Sequence, residues 1–379
     1  MLNFKQYDFK RYSIPLIAVV LIIGCIGAFL IKQVQTSSEN LFMKHLLGLG
    51  VGIIGALILS LIDYHFITGF YIVLYAINLV LLLLVKVNGV TINHAKRWLD
   101  LGFAQIQPSE ITKIILILFT AKIFTMFRSK INNILFLLFA VISIGLPTLL
   151  ILLQPNLSTS IVVVMIFLLM LFAAGLSWKI ILPVLVIGIP CVIGLFWYVQ
   201  QDYQILLKDY QQQRILSILN PEEYEETMYQ QDNSIGAIGS GKLYGKVFDA
   251  SEDRNYDHIP ISESDFIFSV AGEEFGFIGS CVILCLYAII IYICLMTAKQ
   301  APDYMGMLIA VGIASMFVIQ VFVNVGVATK LLPNTGIPLP FMSSGLSSML
   351  SGMLAIGLLL NIRLQPKRSR NERATKKEG

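Results

Sequence analysis

Long apolar runs dominate the chain and are separated mostly by short polar connections. A helix needs about 20 predominantly apolar residues to cross a bilayer. Because the hydrocarbon core tolerates only segments whose backbone groups are paired internally, such runs predict membrane-spanning helices. The pattern predicts ten spans, at about residues 14–32, 46–62, 66–86, 111–127, 132–153, 158–177, 180–199, 267–296, 306–326 and 346–362.

The polar segments predict the domain organisation and the orientation. One membrane domain covers residues 14–362, and basic tails flank it at 1–13 and 363–379. Lys and Arg near span ends mark the cytoplasmic side, and ten spans place both tails together, so both termini are expected in the cytoplasm. The connection 200–265, between spans seven and eight, holds five basic and thirteen acidic residues and is expected outside.

Composition agrees with the apolar pattern. Hydrophobic residues make up 56% of the chain and charged residues 13%, with a mean hydropathy of +0.78, whereas soluble domains carry about 25% charged residues. These values exclude a soluble globule and predict an all-α integral membrane protein. The first apolar run is too long for a cleavable signal peptide. All five cysteines lie in apolar runs, so neither a disulfide framework nor a zinc site is expected.

Carboxylates at the start of the eighth span are the first candidates for chemistry. Asp265 lies at its mouth, and Glu273 and Glu274 lie two to three turns further in. Asp265 could cap the helix or act as a general base on a hydroxyl. A charge at membrane depth costs a few kcal/mol, so the deeper pair is expected to be offset by Lys113 or Lys122 of the fourth span.

The loop before the fourth span carries a second polar group. Arg97 and Trp98 are followed by Glu110 and Lys113, and the last two share a helix face at a spacing of three. A structural ion pair beside an aromatic anchor explains this pattern. A charged wall of a polar cavity explains it equally well, because ionisable residues at membrane depth usually line one.

Three further segments have unusual backbone chemistry. TGIPLPF at 335–341 contains Pro338 and Pro340, precedes Ser343, and predicts either a re-entrant loop or a rigid hairpin. GAIGSGKLYGK at 236–246 is glycine-rich but lacks the ending of a nucleotide-binding loop. YQQQRILSILNPEEY predicts an interfacial helix with Arg214 able to meet an anionic headgroup.

Together, segments along most of the chain resemble the SEDS family (shape, elongation, division and sporulation), which includes RodA, FtsW and SpoVE. Short tails and total length favour the RodA-like branch. The segments that carry the resemblance, in family order, are AKRWLDLG, QPSEITK, QPNLSTS, YQQQRILSILNP, AIGSGKLYGK, SDFIFSVAGEEFGFIG and NVGVATKLLPNTGIPLPFMSSGLSS.

The resemblance implies a peptidoglycan glycosyltransferase that polymerises lipid II at the outer face of the bacterial plasma membrane. It also implies a class B penicillin-binding protein as partner, with other elongation or division proteins and no nucleic acid. Asp265 matches the family's essential aspartate, as general base or as ligand of a divalent cation, Mg²⁺ or Mn²⁺. The other residues implied are Arg97, Lys113 and Arg214 for the diphosphate, Glu110, Trp98, Glu273 and Glu274 in support, and Pro338, Pro340 and Ser343 in a cavity loop.

Departures from the family pattern leave two alternatives open. Asn156 replaces a family aspartate, Ser264 replaces a threonine, and Ser344 and Leu346 alter a serine- and glycine-rich block. A lipid II flippase would also use ten spans with internal acids, but it would need polar access from both faces. A non-catalytic scaffold for a penicillin-binding protein would not require Asp265.

Overall fold

The computed structural model describes residues 7–34, 40–92, 95–100, 102, 105–201, 204, 212, 216, 225–247 and 253–365. Most of these residues are helical, as predicted. The α-helices are α1 (Ile14–Val34), α2 (Leu41–Ser60), α3 (Tyr64–Gly69), α4 (Tyr71–Asn88), α5 (Pro108–Met126), α6 (Ile134–Leu153), α7 (Leu157–Ala173), α8 (Trp178–Val199), α9 (Glu225–Ser240), α10 (Ile267–Gln300), α11 (Tyr304–Ala328) and α12 (Leu346–Leu364). Short 3₁₀ helices occur at Phe9–Arg11, Arg128–Lys130 and Asn255–His258.

Eight described helices are long and apolar enough to cross a membrane: α1, α2, α4, α6, α8, α10, α11 and α12. Helix α7 is apolar but has only 17 residues. Helix α5 has 19 residues and carries Glu110, Lys113 and Lys122 among them. A multi-pass membrane protein is therefore confirmed, and the count of ten spans stays a prediction.

Many of these helices begin at a residue that the sequence marks as a helix start. Asn, Asp and Ser side chains accept backbone N–H bonds at several N-caps, which satisfies donors that lack a partner in the first turn. Helix α5 has proline at its first position, where the missing N–H costs nothing. The capping residues are Asn40, Asp63, Asn133, Asn156, Ser177 and Asp303.

Two predicted spans are interrupted. The predicted span 66–86 is divided at Phe70 into the short helix α3 and the longer α4. Helix α10 is longer than its predicted span and is broken at Gly276, where φ is 65° and ψ is −164°. This backbone conformation is essentially restricted to glycine, so Gly276 fixes the position of the kink.

A small antiparallel sheet is an exception to the all-α prediction. Strands β1 (Val90–Ile92), β2 (Ala95–Asp100) and β3 (Gln105–Ile106) lie between α4 and α5 in the order β1-β2-β3. Val90 pairs with Trp98, and Leu99 pairs with Ile106. Short strands carry no 20-residue apolar signal, so the hydropathy pattern missed them.

Helices α11 and α12 form the centre of the bundle. In each, 72% of the apolar span is buried, whereas none of the span of α8 is buried. Helix α12 packs against α2 and α5, and α11 packs against α5, α7 and α10. This arrangement leaves α8 facing its surroundings with an apolar surface and places the polar residues of α11 inside the protein.

The two ends of the bundle differ. The N–H of Asp8 donates to the carbonyl of Leu364 at 2.9 Å, so the described N- and C-terminal segments meet at what we call the termini end. Helix α1 begins there and α12 ends there. The opposite end, called the loop end, carries the small sheet, α9 and the loop before α12.

A polar latch joins three segments at the termini end. The ring of His65 lies between Asp63 Oδ1 at 2.7 Å and Asp303 Oδ2 at 2.5 Å. Tyr64 also donates to Asp303, and Gln365 donates to Asp63. Burial alone would lower the pKa of His65, but the two carboxylates outweigh it and raise the pKa to about 9. The latch therefore holds a protonated imidazole at neutral pH.

We expect His65→Ala to lower the melting temperature in detergent more at pH 6 than at pH 10. The folded-state pKa, about 9, lies above the unfolded value of about 6.5. The stabilisation is therefore fully present below pH 6.5 and disappears as the pH rises through 9. Melting curves between pH 6 and pH 10 measure this, with exposed His258→Ala as the control. An equal loss at every pH would contradict an ionic latch.

Candidate active site

Asp265 lies just before α10, at the loop end. The N-cap of α10 is Phe266, so the interpretation of Asp265 as the capping residue is wrong. Ser264 Oγ donates to Asp265 Oδ1 at 3.1 Å, and a side-chain amide of α11 donates to the Asp265 carbonyl. A Cβ on Gly336 would lie 3.2 Å from Asp265 Oδ2. Several segments therefore surround this carboxylate closely.

The loop 331–345 is non-helical, and its part from 337 to 343 is largely buried. Leu339, Phe341 and Met342 are each no more than 2% exposed. Pro340 is buried and its carbonyl accepts from Tyr287 at 2.6 Å, while Pro338 is half-buried. Irregular backbone is tolerated in a membrane protein where other protein covers it. These contacts favour the re-entrant loop over the rigid hairpin.

Ser343 and Ser344 connect this loop to the segment that carries Asp265. Ser343 Oγ accepts from the N–H of Leu339 at 2.8 Å and donates to the carbonyl of Ser264 at 2.6 Å. The N–H of Ser344 donates to the carbonyl of Glu263 at 2.8 Å. The substituted position Ser344 thus contributes through its backbone, which does not depend on its side chain.

Glu110 and Lys113 form the predicted ion pair. Lys113 Nζ donates to both carboxylate oxygens of Glu110, at 2.9 and 2.8 Å. Both residues are almost completely buried, at 4% and 3% exposure. Ser351 of α12 donates to the backbone carbonyl of Glu110. The pairing is confirmed, and the geometry fits both the structural interpretation and a charged wall.

Arg97 and Trp98 lie in β2, and Arg97 donates from a terminal guanidinium nitrogen to the carbonyl of Pro155 in the α6–α7 turn. Asn156, next in that turn, caps α7 and lies 3.4 Å from Ser109 Oγ of α5. The turn therefore contacts both the sheet and the start of α5. The amide at position 156 performs a capping role that a carboxylate could also perform.

A series of contacts connects the re-entrant loop with the α6–α7 turn, the small sheet and the start of α5. Ser158 Oγ, at the start of α7, donates to the carbonyl of Thr335 at 2.5 Å, and Thr335 precedes the glycine that approaches Asp265. Through α7 and its preceding turn, the contacts continue to Arg97 and to the start of α5. The structure thus brings Asp265, Arg97 and the Glu110–Lys113 pair to one end of the bundle.

Glu273 and Glu274 do not pair with Lys113 or Lys122, so that prediction was wrong. Glu273 is fully buried and accepts from Lys246 and Ser240 and from the N–H groups of Asn255 and Tyr256, at 2.8–2.9 Å. Glu274 accepts from Arg254 and from the hydroxyl of Tyr256, at 2.8 and 2.9 Å. Their partners all come from the connection between α8 and α10, which folds back over the start of α10.

The glycine-rich segment explains how that connection approaches α10. A Cβ on Gly241 would lie 2.0 Å from the carbonyl of Gly272, and one on Gly245 would lie 2.1 Å from the carbonyl of Glu274. Phe277 and Ile278, beyond the kink, donate to the carbonyls of Lys242 and Leu243. These glycines serve close backbone packing, which explains the motif without a phosphate ligand.

We expect Glu273→Leu to open the described residues 241–247 and 253–258 to proteases. Each buried donor left unpaired costs about 1–3 kcal/mol. Glu273 accepts from four donors, of which Ser240 and Lys246 also bond to backbone carbonyls. Since cleavage follows the population of the open form, the rate of limited proteolysis should rise tenfold or more. Asp257→Asn, which alters an exposed carboxylate in the same segment, should leave the rate unchanged. Equal resistance of both variants would show that Glu273 does not hold this segment.

Arg214 and the predicted interfacial helix around it lie outside the described residues. Within the described part of the chain, no group of three or more His, Cys, Asp or Glu side chains could hold a metal ion. The prediction of a divalent cation at Asp265 therefore lacks a set of protein ligands among these residues.

Three residues that contact the candidate site residues were not predicted from the sequence. Lys246 and Arg254 neutralise the two buried glutamates, and Asn324 on α11 contacts Asp265. An asparagine within an apolar span is a recognisable signal, because a polar group in the membrane usually has a function. Lys246 and Arg254 carried no such signal, since a basic residue in a polar loop is ordinary.

Comparisons with known proteins agree with this architecture. Among curated proteins, peptidoglycan glycosyltransferase MrdB of Escherichia coli is 32% identical over 95% of this chain and 96% of its own length. Stage V sporulation protein E of Bacillus subtilis is 35% identical over 84% of this chain and 86% of its own length. A probable peptidoglycan glycosyltransferase FtsW of Trichlorobacter lovleyi is 32% identical over 94% of both chains.

Solved structures show the same fold. A chain of a peptidoglycan synthase complex, described as coordinating polymerization and crosslinking, matches with a TM-score of 0.78, 28% identity and coverage of 94% of this chain and 97% of its own. The rod shape determining protein RodA of Thermus thermophilus matches with a TM-score of 0.67, 27% identity and coverage of 94% and 96%. The preference for the RodA-like branch is consistent with the MrdB and RodA matches.

The family model of cell cycle proteins covering FtsW, RodA and SpoVE matches residues 11–368. That range includes every described span and every candidate site residue. The chain therefore belongs to the SEDS family of FtsW, RodA and SpoVE cell cycle proteins.

Proposed function

We propose that this chain is a peptidoglycan glycosyltransferase that polymerises lipid II into glycan strands. The observation that carries the proposal is the position of Asp265, an acidic residue whose carboxylate accepts from Ser264, whose backbone carbonyl accepts from α11, and which lies against the re-entrant loop at the loop end. The names of the relatives MrdB and FtsW support the same activity. A scaffold would not require so many contacts around one acidic residue.

In the proposed reaction, the 4-hydroxyl of the sugar in an acceptor lipid II attacks the anomeric carbon of a growing, lipid-linked glycan. The new bond joins that oxygen to the anomeric carbon, and the bond from the anomeric carbon to the diphosphate breaks. Asp265 takes the hydroxyl proton, as a general base within reach of the acceptor would. Undecaprenyl diphosphate leaves with the bonding electrons.

The developing charge on the diphosphate needs cationic groups. Arg97, Lys113 and Arg214 are proposed for this role, since preorganised cations stabilise charge that forms in a transition state. The burial of Lys113 beside Glu110 supports an orienting role for Glu110, whose carboxylate fixes the position of the ammonium. Trp98 lies next to Arg97 in β2, and a supporting role is proposed for it as well.

A divalent cation at Asp265 is a separate proposal. Mg²⁺ is often held by one or two carboxylates together with substrate phosphates, so an ion at Asp265 would bind with the diphosphate of the substrate. The described side chains provide no cage of their own.

We propose further that the protein works in the bacterial plasma membrane with both termini in the cytoplasm and the loop end outside. The basic tails support this orientation. A class B penicillin-binding protein is the proposed partner, together with other elongation or division proteins. The similarity to a chain of a complex that combines polymerization with crosslinking supports that partner.

The proposed function is tested by incubating purified protein, with its cognate class B penicillin-binding protein, with lipid II. We expect glycan strands on a gel, and parallel reactions with EDTA report on a divalent cation. Fluorescent lipid II in proteoliposomes provides the second measurement. Translocation of the label without any polymer would favour the flippase, and neither activity in a verified complex would favour the scaffold.

A further inference from the structure

Asn324 occupies an unusual position in α11. It is 1% exposed, within a helix whose other side chains are largely apolar. Its side-chain nitrogen donates to the carbonyl of Asp265 at 2.8 Å and to the carbonyl of Ile337 at 2.8 Å. One planar amide thus connects the residue proposed as general base with the re-entrant loop.

The two acceptors belong to different parts of the chain. Asp265 lies just before α10, and Ile337 lies next to Gly336, whose backbone approaches the Asp265 carboxylate. The N–H groups of a carboxamide are fixed in one plane. Asn324 therefore fixes the distance and direction between the Asp265 backbone and the loop that covers its side chain.

The side-chain oxygen of Asn324 is a second unusual feature of this residue. Asn324 Oδ1 is buried and has no hydrogen-bond partner among the described residues. Burying an unpaired polar atom costs free energy; a leucine of similar size would avoid that cost but would leave the carbonyls of Asp265 and Ile337 without the donor that Asn324 supplies. Unsatisfied buried groups in native proteins call for an explanation.

We propose that Asn324 is a positioning residue, which aims the Asp265 carboxylate at the acceptor hydroxyl by holding the Asp265 backbone against the re-entrant loop. The proposal rests on the proposed function of Asp265. Misplacing a reacting group by about 1 Å can reduce a rate by about 100-fold. Loss of both bonds should therefore reduce kcat much more than it changes KM.

The chain offers a matched control in Asn361. This residue is also a fully buried asparagine in a membrane helix, α12, and its amide donates to the carbonyl of Ser60 at 2.7 Å. Its oxygen accepts from the N–H of Tyr64 at 3.0 Å. Asn361 lies at the termini end, far along the bundle from Asp265, so the same substitution there removes a buried amide without altering the candidate site.

The experiment compares Asn324→Leu with Asn361→Leu in the complex with the penicillin-binding protein. Melting temperature, kcat and KM for lipid II are measured per folded protein. We expect kcat to fall about 10- to 100-fold for Asn324→Leu and to stay near wild type for Asn361→Leu, whatever the two melting temperatures. Equal kcat values for the two variants would overturn the proposal.

A double variant separates this proposal from the proposed function. If Asn324 acts through Asp265, adding Asn324→Leu to Asp265→Asn should reduce the residual rate no further. A further large loss would show that Asn324 acts independently and would overturn the proposal. Full activity of Asp265→Asn itself would instead remove the proposed role of Asp265.

A substitution with a smaller side chain tests the proposal if Asn324→Leu does not fold. In Asn324→Ser, the hydroxyl can bond to the backbone carbonyl one turn earlier in its own helix, which avoids a buried unpaired donor. Asn361→Ser is its control. We expect the same selective loss of kcat, and a kcat equal to that of the control would again overturn the proposal.

Discussion

Asp265→Asn is expected to reduce glycan polymerisation from lipid II by about 10²–10⁴-fold, the usual contribution of a general base. The asparagine keeps the size of the side chain and leaves the backbone carbonyl that accepts from α11 in place. It cannot take the proton of the acceptor hydroxyl. We therefore expect a folded protein with an almost unchanged melting temperature and very little polymer.

Glu263→Gln is the matched control for this substitution. Glu263 lies two residues away, and its backbone carbonyl, which accepts from Ser344, is unaffected by the change. Both variants lose one negative charge at the same edge of α10. Near-normal polymerisation by Glu263→Gln together with failure of Asp265→Asn would locate the requirement at Asp265. Comparable activity of the two variants would remove Asp265 from the mechanism.

Glu110→Leu is expected to destabilise the protein by about 3–5 kcal/mol, the cost of leaving a buried charge without its partner. Lys113 is 3% exposed and donates to both oxygens of Glu110. Removal of the carboxylate leaves an ammonium group inside the bundle. A lower melting temperature in detergent, and denaturant unfolding where it is reversible, measure this cost.

The double variant Glu110→Leu/Lys113→Met distinguishes a structural pair from a functional one. Replacing a buried ion pair with apolar residues is often neutral or stabilising, so the melting temperature should return towards the wild type. If Lys113 stabilises the leaving diphosphate, polymerisation should stay low in this stable double variant. Recovery of both stability and polymerisation would identify the pair as structural.

Hydropathy predicted the membrane helices well because few backbone structures can cross a bilayer with all their polar groups paired. A run such as 306–326 has to be helical in hydrocarbon, and α11 extends over Tyr304–Ala328. The break at Phe70 and the kink at Gly276 were not predicted. Both lie inside a predicted span, and the hydropathy of a span does not report a local change in its backbone.

The residues of the candidate site were only partly predictable. The spacing of Glu110 and Lys113 was sufficient to predict their pairing, because a helix determines which residues share a face. The partners of Glu273 and Glu274 depend on a connection that folds back across many residues. Local spacing contains no information about such a contact, so the pairing with the fourth span was a reasonable but wrong prediction.

The contacts around Asp265 also determine when, during synthesis of the chain, the candidate site can be fully assembled. Asp265 precedes Asn324, Ser343 and Ser344 in the chain, yet these later residues hold it and its two preceding neighbours. A chain is synthesised from its N-terminus, so Asp265 is made before the later residues that bond to it and to its neighbours. We therefore expect the proposed activity only after the last two helices have inserted, and none from a half-assembled chain.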